Sequence, residues 1–315
     1  MKIQTICVLG GTGFVGRHLV AHLGNGGRRV RVLTRHRERH KALTVIPGVK
    51  LLEADIHDPQ TLRQQIAGSD AVINLVGILN GSTADFQALH VALPRQIVEA
   101  CRTTGVERLL HMSALNGDAA HGPSVYLRSK GQGEQTVLQA QDLQTTCFCP
   151  SVIFGPDDSF FNRFATLLRL IPVLPLACPY TWFAPVYVGD VVRAFEAALE
   201  DETTFGKRFE LCGPQTYTLR QLVEYTAHVL GRKRLIIGLS DPLAKLQARI
   251  MTHVPGQLFT LDNYRSLQMD SVCHSSGLAA LGVTPHSIEA LVPGYLTGRR
   301  QRDRYRNFRR IARRD

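Results

Sequence analysis

The sequence predicts an α/β protein in which a doubly wound parallel sheet is followed by a smaller C-terminal α/β lobe. Two observations carry this fold class. Over the first half of the chain, short strands that are apolar along their whole length alternate with helical segments, a pattern typical of a parallel sheet covered on both faces. The first strand also ends in a glycine loop that opens a helix, with Gly10, Gly13 and Gly16 in the pattern G-x-x-G-x-x-G.

The alternation can be followed segment by segment. It starts with the strand TICVL, the helix FVGRHLVAHLG and the strand RVRVLT, which together form a βαβ unit. It continues through VKLLEAD, TLRQQIAG, DAVINLVG, LPRQIVEACRTTG, RLLHMSA, GQGEQTVLQAQ and QTTCFCPSVIFG. Because connections between parallel strands are right-handed, these segments predict a Rossmann-type sheet with helices on both faces.

The pattern changes after Pro156, where prolines and aromatic residues become frequent. Further on, DVVRAFEAALE is predicted as a helix capped by Asp190. This helix has a wide apolar face, so the segment is expected to pack against the sheet again. The predicted organisation is a nucleotide-binding domain over residues 1–155, a substrate or partner lobe over 156–183 and 205–298, a return to the sheet over 184–204, and a basic tail over 299–315.

The composition is that of an ordinary globular protein, with 44% hydrophobic and 20% charged residues among 315. The N-terminus has no signal-peptide layout, and the apolar stretch FATLLRLIPVLPLAC is too short and too interrupted to cross a bilayer. Seven cysteines, an odd number at irregular spacing, predict reduced thiols in a cytoplasmic protein. No metal-ligand spacing is present, so no metal site is expected.

The net charge of +11 is concentrated in two segments, RRVRVLTRHRERHK (residues 28–41) and RRQRDRYRNFRRIARRD (residues 299–315). As a helix, the second segment would place Tyr305, Phe308 and Ala312 on one face among nine arginines, which suits an anionic membrane surface. A disordered basic tail explains it equally well. Nucleic acid is not expected, because the chain has no recognisable nucleic-acid-binding fold.

The glycine loop indicates a nucleotide, because glycine lets the backbone approach a pyrophosphate and the helix N-terminus offers it free N–H groups. An NAD site usually has an acidic residue at the end of the second strand, whereas this chain has Thr34 and Arg35. Arg37 and Arg39 follow. Guanidinium groups bind a phosphate bidentately, so the segment predicts NADP(H) rather than NAD(H). The alternative is a solvated basic loop.

Two further strand ends carry candidate cofactor contacts. Asp55 ends the third strand, where its side chain could meet the adenine amino group. Asn74 and Gly77 end the fourth strand, and Gly77 would let the backbone approach the cofactor. A bend without a ligand explains Gly77 nearly as well.

Tyr126 and Lys130 stand four residues apart and would face the same side of a helix. A lysine ammonium near a phenol lowers the phenol's pKa, so a tyrosinate could exchange a proton during hydride transfer. The pair is common by chance, and it gains weight because it follows the strand RLLHMSA, which carries Ser113.

Seven motifs occur in order: GGTGFVG, AVINLVGIL, HMSALNG, YLRSKGQGE, PSVIFGPDDSFFNRF, PVYVGDVVRA and CGPQTYTLRQLV. Together they resemble the atypical short-chain dehydrogenase/reductase group of the NAD-dependent epimerase/dehydratase superfamily, which includes a nicotinamide-binding accessory subunit of respiratory complex I. The resemblance extends to FTLDNYRSL and leaves the arginine tail outside. It implies catalytic roles for Tyr126 and Lys130. Ser113 is the candidate catalytic donor beside them, and Ser124 is another candidate. The resemblance also implies cofactor contacts at Gly10, Thr12, Gly13, Phe14, Val15, Gly16, Arg35, Arg37, Asp55, Ile56, Val76, Gly77 and Lys130.

Two positions depart from the superfamily pattern. Leu115 stands nearer than Ser113 to the usual position of the catalytic serine or threonine, and leucine cannot donate a hydrogen bond to a substrate oxygen. Cys149 stands where relatives often carry an arginine before the proline.

The sequence therefore predicts an NADP(H)-binding protein linked to respiratory complex I or quinone metabolism, peripheral on the inner face of the membrane. Its cofactor would be mainly structural or redox-sensing. The alternative is an active NADP-dependent oxidoreductase or sugar-nucleotide-type epimerase/dehydratase that uses the Tyr126–Lys130 pair. Leu115 favours the first function, and the intact pair favours the second.

Overall fold

The computed structural model of the protein describes residues 2–254 and 259–297. Its strands, in chain order, are β1 (Thr5–Leu9), β2 (Arg29–Thr34), β3 (Val49–Glu53), β4 (Ala71–Asn74), β5 (Arg108–Met112), β6 (Gln144–Pro150), β7 (Ile153–Phe154), β8 (Val173–Leu176), β9 (Trp182–Phe183), β10 (Val186–Tyr187), β11 (Lys207–Leu211), β12 (Tyr217–Thr218) and β13 (Leu235–Gly238). Its α-helices are α1 (Phe14–Asn25), α2 (Pro59–Ile66), α3 (Thr83–Phe86), α4 (Leu93–Thr104), α5 (Val125–Leu138), α6 (Phe161–Leu170), α7 (Val188–Leu199), α8 (Leu219–Val229), α9 (Asp241–Thr252), α10 (Leu261–Ser266), α11 (Gly277–Ala280) and α12 (Ile288–Leu296).

The main sheet has seven parallel strands in the order β11-β6-β5-β4-β1-β2-β3. Its two faces bury separate apolar clusters, one beneath α1 and α7 and the other beneath α2, α4 and α5. Strands covered on both faces must be apolar throughout, which explains the unbroken apolar runs in the sequence. The predicted doubly wound, Rossmann-type sheet is confirmed.

The return of the chain to the sheet depends on Arg108, whose side chain is fully buried in β5. Its guanidinium donates to the carbonyl oxygens of Ala198 (2.6 Å) and Leu199 (3.1 Å), at the C-terminal end of α7. Those carbonyls have no partner within the helix, so the buried cation satisfies them. Asp190 is not the cap of α7 as predicted, since Tyr187 occupies that position and Asp190 lies buried in the first turn.

The segment that rejoins the sheet is longer than predicted. β11 pairs in parallel with β6, in the register Phe209↔Phe148, so residues 207–211 belong to the main sheet and not to the C-terminal lobe. Leu278, Leu281 and Val283 also pack into the cluster beneath α1 and α7. The lobe proper has a core of its own, formed by side chains from α6, α8, α12, β8 and β13 among others.

The expectation of reduced thiols throughout is wrong for one pair of cysteines. Cys212, just after β11, and Cys273 form a disulfide, with their Cα atoms 6.0 Å apart. The two residues are 61 positions apart in sequence and meet only because the chain returns to the edge of the sheet. The cysteines Cys7, Cys101, Cys147 and Cys149 are buried thiols, and Cys178 is a half-buried one. Within the residues that the structure describes, the helices lack the length and apolar character that a membrane crossing requires.

Candidate nucleotide site and tyrosine–lysine centre

The glycine loop brings α1 directly against the end of β1. Gly10 has a φ of +76°, which side-chain-bearing residues rarely adopt. A Cβ on Gly16 would lie 2.2 Å from the Gly10 carbonyl oxygen, so only glycine permits this approach of helix to loop. The helix N-terminus is thereby held at the carboxyl edge of the sheet, where α/β folds bind ligands.

The N-terminus of α1 suits an anion. Its cap is Gly13, no side chain caps it, and its first turn contains no acidic residue. Phe14 and Val15 therefore present backbone N–H groups without side-chain competition, and the helix dipole favours a negative charge there. Thr12 is half-buried beside them. This cradle fits the pyrophosphate of a dinucleotide.

The basic segment after β2 lies at the same edge. The side chains of Arg35, Arg37 and Arg39 are exposed, and none forms an ion pair within the described ranges. The backbone N–H of Arg37 donates to Glu53 Oε2 at 3.3 Å. Glu53, at the end of β3, is an acidic group that the sequence interpretation did not weigh, although its register opposite Thr34 follows from the β2–β3 pairing.

The other predicted contacts lie at the ends of β3 and β4. Asp55 is exposed and its carboxylate accepts a hydrogen bond from the His57 N–H at 3.0 Å, and Ile56 is half-buried next to it. Val76 is held by the Asn74 side chain, which accepts from the Val76 N–H at 3.1 Å. Gly77 is exposed, and a Cβ there would stand 3.7 Å from Lys130 Nζ. The structure thus brings Gly77 and Lys130 together.

Lys130 is buried, and its ammonium donates to the Met112 carbonyl oxygen at 2.6 Å. Burial lowers the pKa of Lys130 to about 8. Two buried histidines, His90 and His111, lie near enough for the lysine charge to lower their pKa values further. The lysine is therefore fixed at the end of β5, beside the loop that follows β4.

His90 is a site residue that sequence reasoning missed. It lies in a π-helical turn, Gln87–Ala92, between α3 and α4. The Ile78 N–H donates to His90 Nε2 (3.1 Å), so Nδ1 carries the proton and donates to Ser129 Oγ (2.9 Å). Burial, and then the Lys130 charge, lower the pKa of His90 to about 3. This neutral histidine joins the Gly77 loop to the Tyr126–Lys130 helix. A π-turn within a helix often marks a functional position, but it leaves no clear signal in sequence.

Tyr126 lies in the first turn of α5, with its ring edge-on to those of His90 (5.7 Å between centroids) and Phe86 (6.2 Å). Within the described residues its hydroxyl forms no hydrogen bond. Burial raises the pKa of Tyr126 to about 12, the opposite direction from the one that the Tyr–Lys pair predicts. The cause is desolvation of the phenol by burial, and the Lys130 ammonium donates to the Met112 carbonyl oxygen instead of the phenol.

Ser113 and Leu115 are both buried at the end of β5. Ser113 Oγ has no hydrogen-bond partner among the described residues, and its contact with the Cys149 thiol is at most weak. Cys149 itself donates to Glu134 Oε2 at 3.2 Å. Arg208 of β11 forms an ion pair with Glu134 at 2.7 Å, so a guanidinium from a different strand enters the region next to Cys149.

The comparison with known families settles the classification. The NAD dependent epimerase/dehydratase family matches residues 6–212. The chain belongs to this family. Its match spans the glycine loop, the Tyr126–Lys130 helix and the return to the sheet through β11.

Relatives and solved structures extend the picture of this family member. NADH dehydrogenase [ubiquinone] 1 alpha subcomplex subunit 9, mitochondrial, of Mus musculus is 36% identical over 292 residues, which cover 90% of this chain and 77% of the relative. Ceramide reductase of Caulobacter vibrioides is 30% identical over 240 residues, 75% of this chain and 74% of the relative. The structure of MoeE5 in complex with UDP-glucose and NAD has a TM-score of 0.73 at 19% identity and covers 94% of this chain and 99% of that one, which shows the shared fold.

A cap from the C-terminal lobe completes this epimerase-family site. The Asp262 carboxylate, in α10, accepts from the backbone N–H groups of Val125 (2.8 Å) and Tyr126 (3.0 Å). Ser266 of the same helix donates to Ser124 Oγ at 2.8 Å. The N-terminus of the helix that carries Tyr126 and Lys130 is therefore held by the other lobe, through the FTLDNYRSL motif.

No group of His, Cys, Asp or Glu residues that could hold a metal ion is found in residues 2–254 and 259–297. The predicted tail contact, through residues 299–315, lies outside the described residues.

Proposed function

We propose that the protein binds NADP(H) as a mainly structural or redox-sensing ligand and works with respiratory complex I or in quinone metabolism. The observation that carries this proposal is the state of the acid/base centre. The Tyr126 hydroxyl forms no hydrogen bond within the described residues, Lys130 is engaged with a backbone carbonyl, and Ser113 is enclosed beside Leu115. Such a centre supports a bound nucleotide better than it supports proton transfer to a carbonyl substrate.

The preference for the 2′-phosphate rests on Arg35 and Arg37, which stand exposed after β2 and carry no carboxylate partner within the described ranges. Both are free to bind a phosphate bidentately. Glu53 opposes this preference, because its carboxylate lies at the same strand edge. Two exposed guanidinium groups against one carboxylate favour NADP(H).

The link to respiration rests on the similarity to complex I subunits over 90% of the chain. Cytoplasmic location, with peripheral attachment to the inner face of the membrane, forms part of the same proposal. The partner would be a protein of the respiratory complex or of the quinone pathway.

An active enzyme is the second candidate. The Tyr126–Lys130 pair is intact on one helix, and a pKa of about 8 lets Lys130 change its charge near neutral pH. Ceramide reductase, at 30% identity, is named as an enzyme. In this account an NADP-dependent reductase or epimerase would use Tyr126 as acid/base.

Titration of the purified protein with NADPH and NADH tests the preference for NADP(H), and the variant Tyr126→Phe tests whether the protein is an enzyme. We expect NADPH to bind more tightly, and Arg35→Ala and Arg37→Ala each to weaken NADPH binding by roughly tenfold to a hundredfold, since one charge-assisted contact contributes about 1.5–3 kcal/mol. NADH affinity should barely change in the same variants, which serves as the internal control. Tyr126→Phe should leave affinity within about twofold. Equal affinities for the two nucleotides would overturn the preference, and loss of a measurable turnover in Tyr126→Phe would establish the enzyme.

A further inference from the structure

Helix α9 packs against the rest of the protein through small side chains. Its buried residues are Ala244 and Ala248, which contact Ala177 and Tyr264. Its larger apolar side chains, Leu243, Leu246 and Ile250, are each more than half exposed. A helix stabilised by the fold alone would bury its leucines, because burial free energy grows with apolar area. The outward side of α9 is therefore an unpartnered apolar face.

A second exposed apolar row adjoins it. β8 and β13 pair in parallel, in the register Leu235↔Val173 and Ile237↔Pro175, and these four side chains are on the outer face. The Gln247 side chain of α9 donates to the Pro175 carbonyl oxygen at 3.2 Å, which places the helix beside the strand. We call the combined set the α9 surface; its members are Val173, Pro175, Leu235, Ile237, Leu243, Leu246 and Ile250.

The charges around the α9 surface are predominantly positive. Residues 232–254 contain five Lys/Arg residues and one acidic residue, Asp241. Asp241 accepts a hydrogen bond from the Tyr264 hydroxyl. Lys245 and Arg249 alternate along α9 with the exposed leucines, and Arg232 and Lys233 precede β13. These four cations are exposed and form no ion pair within the described parts of the chain. The partner of the surface must therefore combine apolar area with negative charge.

We propose that the α9 surface is a docking site for an anionic lipid bilayer, with α9 lying in the interface. Leu243, Leu246 and Ile250, at i, i+3 and i+7, would enter the acyl boundary, while the alkyl stems of Lys245 and Arg249 extend to bring their charges to the phosphates. A second copy of the chain fits less well, because a two-fold interface would bring the same four cations face to face. This inference rests on the peripheral membrane attachment in the proposed function and gives it a surface, but it does not depend on nucleotide binding and does not involve the arginine tail.

Co-sedimentation of the full chain with vesicles tests the proposal, using phosphatidylcholine alone and phosphatidylcholine with phosphatidylglycerol. We expect binding to the anionic vesicles, weakened by high salt, and little binding to the neutral ones. The variant Leu243→Ser/Leu246→Ser/Ile250→Ser should lower the partition coefficient roughly tenfold or more, and Lys245→Glu/Arg249→Glu should do the same. Val45→Ser, at an apolar residue 81% exposed in the connection between β2 and β3, is the matched control and should bind like the wild type.

Three outcomes would overturn the proposal. If the triple serine variant sediments like the wild type, cations elsewhere in the chain bind the vesicles. If the protein binds neither kind of vesicle, or binds both kinds equally, the surface does not select an anionic bilayer. If sedimentation velocity shows a dimer that only the triple variant loses, a second copy occupies the surface. Circular dichroism and thermal unfolding of each variant check that a loss of vesicle binding is not caused by a loss of folding. The triple serine variant removes apolar area and the double glutamate variant removes positive charge, so they test the two properties of the surface separately.

Discussion

At the residue scale, the candidate site contains side chains that burial keeps uncharged and that hydrogen bonds hold in place. His90 holds the Gly77 loop with one ring nitrogen and Ser129 with the other, and Ser129 Oγ in turn donates to the Tyr126 carbonyl oxygen at 2.8 Å. Protonating His90 would cost the hydrogen bond that it accepts from Ile78. The same burial raises the pKa of Tyr126. Hydrogen bonds and burial therefore hold the residues of this centre in one arrangement.

His90 predicts a pH dependence of stability. Its pKa falls from 6.5 to about 3 on folding, so between these values the unfolded chain binds the proton and the native state does not. Stability is fully present above pH 6.5 and is lost as the pH falls, by about 2 kcal/mol at pH 5 for this residue. His90→Gln keeps one acceptor and one donor without titrating. Urea unfolding at pH 7.5 and pH 5 should therefore show a smaller loss in His90→Gln than in the wild type, whereas the exposed-site variant His57→Gln should lose as much as the wild type. An identical loss in all three proteins would contradict the assignment of a buried neutral His90.

At the element scale, α5 is positioned by elements far apart in sequence. Asp262 caps its N-terminus from α10. Gly133 allows it to pack on the π-helical turn, because a Cβ there would lie 2.1 Å from the His90 carbonyl oxygen. The helix carrying Tyr126 and Lys130 therefore depends on the C-terminal lobe as well as on the sheet.

Removing the Asp262 cap should destabilise the protein. Asp262→Ala leaves the Val125 and Tyr126 N–H groups without their acceptor and should lower the free energy of unfolding by about 1–2 kcal/mol. Asp262→Asn retains one acceptor oxygen and should lose less. Denaturant unfolding of the three proteins checks the order. Equal stability of Asp262→Ala and the wild type would show that the lobe does not support α5.

The sequence predicts those elements whose signal is local and continuous. The βαβ unit around Gly10 and the apolar strands follow from unbroken patterns, and β2 has the predicted bounds of residues 29–34. β11 was assigned to the wrong domain, because KRFEL is a short edge strand with its first residues exposed. The role of His90 and the direction of the Tyr126 pKa depend on burial by residues distant in sequence, which no local pattern encodes.

At the scale of the whole molecule, the sheet domain and the C-terminal lobe are joined at one edge of the sheet. The Cys212–Cys273 disulfide links the end of β11 to the segment that follows Ser271. Ser271 accepts through its carbonyl from Ser151 Oγ (2.7 Å) and donates its N–H to the Trp182 carbonyl (2.7 Å). The disulfide and these hydrogen bonds therefore connect the edge of the sheet to the C-terminal lobe.

Reduction of this disulfide should weaken the folded state without abolishing it. A bridge across 61 residues restricts the unfolded chain and contributes about 2–4 kcal/mol. We expect dithiothreitol to lower the unfolding free energy of the wild type by this amount and to leave Cys212→Ser/Cys273→Ser unaffected. Cys178→Ser, at a half-buried free thiol, should respond to dithiothreitol like the wild type. A wild type indifferent to dithiothreitol would contradict a stabilising bridge.

In the proposed function, this epimerase-family chain holds NADP(H) tightly and turns it over poorly. The most direct measurement is to purify the protein without added nucleotide, denature it, and identify and count the released nicotinamide nucleotide by mass spectrometry, with NADPH oxidation then followed in the presence of quinones or nucleotide sugars. We expect about one NADP(H) per chain and no oxidation above background. Weak, exchangeable binding with turnover would contradict this proposal and establish the enzyme. Failure to bind either nucleotide, even when added, would contradict the nucleotide site itself.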